Sequence, residues 1–213
     1  MASPQAKRRL AAILAAGLVD HDRLAGSDDA EALARLQLFR QRMIHPVIAT
    51  HRGQIIKSTS DGLLVAFSSA VDAVHCALAI QRTLDEHEME LPHAPQMVFR
   101  IAINVGDVVV DTAGNLMGDG VNIAARLESI AEPGGISLSR TAYDQVRDKL
   151  DLVVRAQGVQ QLRNNGEPVQ VFAIDRSNSA HSMRQFGSRV FKAALAGVVF
   201  IAAIAAGVLL LTQ

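Results

Sequence analysis

The 213-residue sequence has a single cysteine, Cys76, so no disulfide can close within the chain. A reducing, cytoplasmic setting fits that usage. Cys76 lies in an apolar helical stretch, residues 70–80, and reads as a small core residue rather than a nucleophile. An excess of charge of either sign is also missing: 21 Lys and Arg balance 21 Asp and Glu. Such a balance gives no support to nucleic-acid binding, which usually takes a basic surface. There is no internal repeat. The opening MASPQAKRRLAAILAAGLVDHD starts like a secretory leader, with basic residues before an apolar run. That run, residues 10–19, is short and has no clear cleavage site, so it reads as a buried strand.

Hydrophobic residues make up 49% of the chain and crowd towards its end. Residues 193–211 contain no charged or strongly polar side chain. As a helix they would reach roughly 28 Å, close to the hydrocarbon thickness of a bilayer. Arg184, Arg189 and Lys192 lie just before them, and the positive-inside rule then puts the preceding domain in the cytoplasm. The expected layout is a tail (1–6), a domain (7–175), a polar juxtamembrane linker (176–189) and a single-pass transmembrane helix (190–211). Small residues four apart in that helix, such as Ala203 and Gly207, would let two copies pack closely.

Short apolar runs and amphipathic helices alternate through the domain. Strands are expected at 10–16, 54–57, 63–67, 136–138, 152–154 and 169–174, with a strand pair, 98–105 and 108–111, turning at Gly106. Helices are expected at 28–50, 70–87, 119–131 and 140–150, the first capped by Ser27. Strand hairpins mixed with helices point to an α+β sandwich: a mostly antiparallel sheet with helices packed on it.

Four blocks carry a more specific signal: RRLAAILAA, KSTSDGLLVAFSSAVDAVHCALAIQ, FRIAINVGDVVV and GDGVNIAARLESIAEPGGISLSR. In this order, without a large gap, they resemble the bacterial class III adenylate/guanylate cyclase catalytic domain, from about residue 7 to 175. The resemblance implies a ferredoxin-like α+β fold and a head-to-tail dimer with sites at its interface. It also implies ATP or GTP as substrate and two Mg²⁺ or Mn²⁺ ions held by two aspartates. The ribose 3′-oxygen attacks the α-phosphorus and pyrophosphate leaves, with charge neutralisation supplying most of the catalysis.

Asp61, at the tip of the Ser-Asp-Gly hairpin, matches the second metal aspartate. The first is replaced by Gly17, directly after LAA, which offers no ligand. Asp20 and Asp22 are weak substitutes, because strand alternation turns Asp20 to the other face and Asp22 lies beyond the turn. Both would repel a triphosphate unless a metal intervened. Lys57 matches the purine-reading position, and a lysine, which only donates, suits adenine N1. Asn122 and Arg126, one helical turn apart, match the residues that orient the ribose and stabilise the α-phosphate charge. Asn115 stands where adenylate cyclases often have Asp, and its amide suits either base. Outside these blocks each residue has a plainer reading: a turn-forming Asp before Gly, a solvated lysine, an exposed polar helix face.

Loss of one cation would cost roughly two to four orders of magnitude in rate. Three readings follow: an active homodimer, a degenerate half that pairs with an intact cyclase, and a non-catalytic nucleotide-binding or scaffold module.

Overall fold

The computed structural model describes residues 7–19, 34, 36–90, 97–110, 116–162 and 168–176. At its centre is β1 (Lys7–Leu18), paired antiparallel with β3 (Gly62–Phe67) on one side and β4 (Phe99–Val110) on the other. The remaining strands are β2 (Gln54–Ser58), β5 (Leu116–Met117), β6 (Ile136–Ser139), β7 (Val154–Gln160) and β8 (Val169–Ile174). The sheet runs β2-β3-β1-β4-β6-β8-β7, with β5 on the side of β4. The β4–β6 pair is parallel and every other pair is antiparallel. With helices packed on it, this is the expected α+β class.

The run AlaAlaIleLeuAlaAla, residues 11–16, is apolar without alternation because β1 is covered there on both faces, while Leu10 before it is exposed. Ala12, Leu14 and Ala16 face the main core with Ala73, Val74, Ala77 and Ile80 of α2 (Ala70–Glu90). Ala11, Ile13 and Ala15 face the other way, towards Ala124 of α3 (Asp119–Ser129). Ile13 and Leu14 are at most 1% exposed, and burying each contributes about 1.5–3 kcal/mol. Cys76 is fully buried in α2, and burial pushes its thiol up to about 12, as befits a core residue.

Three expectations need correction: the strand pair at Gly106, the length of the last helix and the start of the strand after it. Residues 99–110 form one strand and no hairpin; Gly106 continues β4 and pairs with Ala11. Gly106 serves a close approach instead, since a Cβ there would lie 3.1 Å from the Cα of Gly120 in α3. The expected 28–50 helix, where described, contains a π-helical turn, Arg40–Ile44, before α1 (His45–Thr50). That wider turn ends two residues before Pro46, which has no N–H to donate back along the helix. The last helix, α4 (Arg140–Val146), is shorter than expected, and β7 starts only at Val154. Among the described residues no helix is long and apolar enough to cross a membrane. The expected span, 190–211, lies outside them.

Candidate active site

The β2–β3 hairpin brings its tip to the end of β1. Thr59 N–H donates to the Gly62 carbonyl (2.9 Å), and Leu18 N–H donates to the Asp61 carbonyl (2.8 Å). The Thr59 hydroxyl accepts from Gly62 N–H (3.1 Å) and lies 2.7 Å from Asp61 Oδ1. These bonds fix an exposed carboxylate beside β1, where Gly17 pairs with Gly62. The two positions that the resemblance matches to metal aspartates, 17 and 61, therefore lie on adjacent strands.

Behind the hairpin lies Arg40, only 4% exposed. Its Nη1 donates to the Thr59 carbonyl, while Nε and Nη2 are buried without a hydrogen-bond partner among the described residues. Burial lowers the Arg40 pKa, and the charge of Asp61 partly offsets that.

Gly17 is not followed by empty space. A Cβ built on it would fall 2.7 Å from the carboxyl carbon of Glu128, 3.0 Å from Oε2 and closer still to Oε1. Glu128 sits near the C-terminus of α3, four residues beyond buried Ala124, so it projects along the helix face turned to the sheet. Gly17 belongs to that same face, in step with Ala11, Ile13 and Ala15. The glycine thus leaves room for a carboxylate from a different element. Burial raises the pKa of Glu128; Arg100, the β4 residue opposite Gly17, lowers it, and Asp61 raises it further. Nothing in the resemblance pointed to Glu128. The available signal was a glycine at the end of β1 together with an acid one turn after a buried alanine.

The remaining candidates sit on α3 and β2. Helix α3 starts at Gly118, whose φ of 123° suits a residue without a side chain. Asn104, buried in β4, donates its amide N–H to the Gly120 carbonyl (3.0 Å) and holds that start against the sheet. Asn122 and Arg126 are exposed, one turn apart. Arg126 Nη1 donates to the Leu162 carbonyl, so this guanidinium is engaged within its own chain. Lys57 is exposed on β2. Asn115, Asp20 and Asp22 lie outside the described residues.

A cavity of about 770 Å³, lined by Arg8, Asn104, Asp119 and Arg140 among others, includes none of Lys57, Asp61, Asn122, Arg126 or Glu128. Among the described residues no group of three or more His, Cys, Asp or Glu could hold a metal ion. Among the described residues the carboxylates at this end of β1 are Asp61 and Glu128, and hard divalent cations prefer oxygen ligands. That donor chemistry fits Mg²⁺ or Mn²⁺.

The family described as the adenylate and guanylate cyclase catalytic domain matches residues 20–175. A protein of Rhizobium meliloti (strain 1021) named putative adenylate cyclase 3 is 37% identical over 172 residues, covering 81% of this chain. The chain spans only 29% of that relative's length. The crystal structure of an adenylate/guanylate cyclase/hydrolase from Silicibacter pomeroyi superposes with a TM-score of 0.74 at 39% identity, covering 80% of this chain and 98% of that one. The guanylyl cyclase Cya2 superposes with a TM-score of 0.71 at 25% identity, covering 79% and 93%.

Proposed function

This chain belongs to the adenylate and guanylate cyclase catalytic domain family, and on that footing we propose that it is a membrane-tethered purine nucleotide cyclase domain acting as the complementing half of a dimer. The supporting observation is the uneven inventory. Lys57, Asn122 and Arg126 are exposed on helix and strand, while Gly17, next to the last residue of β1, stands where a metal-binding aspartate is expected. Family sites are shared between two domains. A partner with both aspartates would pair its metal side with the Asn122 and Arg126 of this chain.

In that composite site the Lys57 ammonium donates to adenine N1, which favours ATP over GTP. The Asn122 amide holds the ribose so that its 3′-oxygen points at the α-phosphorus. Arg126 leaves the Leu162 carbonyl and donates to the α-phosphate oxygens as charge grows there. When bound, divalent cations would neutralise the triphosphate and lower the pKa of the 3′-hydroxyl. The products are cyclic AMP and pyrophosphate. Residues 190–211 would hold the domain at the cytoplasmic face of the membrane, and pairing of those helices would raise the local concentration of two domains.

A second reading, the active homodimer, is favoured by one observation: the Glu128 carboxylate beside Gly17. Cyclic AMP formation by the full chain separates the two, assayed with Mn²⁺ alone and after mixing with an intact family member. The heterodimer reading expects activity on mixing only, lowered about 10²–10³-fold by Arg126→Ala and indifferent to Asp61→Asn. The homodimer reading expects activity without a partner, lost in both variants. Absence of product in every mixture refutes both.

A further inference from the structure

The geometry points to a divalent-cation site within one subunit, built from the Glu128 carboxylate in the space left by Gly17 together with the Asp61 carboxylate at the hairpin tip. The proposal rests on the cyclase reading for the kind of ion. What it adds is the residue: a helix supplies the carboxylate that the strand lacks.

Three features of the fold carry it. A side chain at position 17 is excluded by Glu128 itself, because the built Cβ falls within 2.7 Å of the Glu128 carboxyl carbon. The Glu128 carboxylate therefore occupies the place where a β1 side chain would begin. Asp61 is held to the same end of β1 by the Leu18 N–H bond to its carbonyl, and its neighbour Gly62 pairs with Gly17. Two acids from separate elements thus converge on one strand end. Finally, Arg40 is buried behind the hairpin, its charge felt by Asp61 and its Nε and Nη2 without a hydrogen-bond partner among the described residues, and Arg100 lies opposite Gly17. Their positive charge lets two carboxylates approach when no cation is bound. Glutamate reaches the site from α3 because its side chain is one methylene longer than aspartate, and α3 lies close over the sheet through Gly106 and Gly120.

The test is Mn²⁺ binding to the full chain, followed by the loss of the free-ion EPR signal. Circular dichroism and thermal unfolding serve as folding controls. The wild type is expected to bind Mn²⁺ alone, and Glu128→Gln and Asp61→Asn each to weaken binding about tenfold or more. Gly17→Ala, whose methyl displaces Glu128, should weaken it as well. Gly17→Asp combined with Glu128→Gln returns the acid to the strand and should restore binding. Wild-type affinity in folded Glu128→Gln, or no binding by the wild type, overturns the proposal. Dependence on Asp61 but not Glu128 overturns it and leaves the cyclase reading standing. Glu128-dependent binding without cyclic AMP from any pairing sustains the site and refutes the cyclase reading.

Discussion

Gly17→Asp puts at the end of β1 the aspartate that the cyclase resemblance leads one to expect, and its effect can be worked out from the surroundings of that glycine. The new Cβ meets the Glu128 carboxylate rather than backbone, so the cost is rotation of one flexible side chain. Electrostatics costs more: a third carboxylate then sits with Glu128 and Asp61. Two unit charges about 4 Å apart repel by about 4 kcal/mol at an effective dielectric of ~20. Glu128 is half-buried and Asp61 exposed, so water screening reduces the net penalty to about 1–2 kcal/mol. For a domain of this size that lowers Tm by about 2–8 °C. Calorimetry in EDTA should show the loss, and Mn²⁺ should reverse it. The Gly17→Asp, Glu128→Gln pair should not show it. Catalysis without a partner should change less than about tenfold if Glu128 already serves the cation, against roughly 10²–10⁴ if the position is vacant. An unchanged Tm in EDTA, with no difference between single and double variants, would refute the packing of Glu128 over Gly17.

Other perturbations probe the frame around the site. Gly120→Ala places a Cβ 2.9 Å from the Asp107 carbonyl and 3.2 Å from the Gly106 carbonyl carbon; since both are backbone, urea unfolding should show a loss of about 1–3 kcal/mol. Glu128 holds its proton to a higher pH in the folded chain than in the unfolded one. Its contribution to stability is therefore present below the ordinary glutamate value and lost as pH rises through the raised one. Denaturation midpoints measured across that interval should fall with pH, and less steeply in Glu128→Gln. Cys76, with its thiol raised to about 12 and no exposed surface, should resist a thiol reagent until denaturant is added.

Much of the fold was legible from local pattern. The two-sided apolar run of β1, the Asp61-Gly62 hairpin and the helical periods of α2 and α3 each depend on neighbours within a few residues. The order of the four blocks went further, to the family. Gly106 was misread because glycine marks a turn and a close helix approach equally well. The departure at Gly17 was visible as a missing carboxylate, but what fills its place was not. Glu128 reaches β1 only because α3 crosses that face of the sheet, and the Arg126 bond to the Leu162 carbonyl depends on a loop far along the chain. Sequence sets which side chains exist and which face of their own element they occupy. Which faces meet is decided by packing between distant elements, and at this site that decision puts one acid where another is absent.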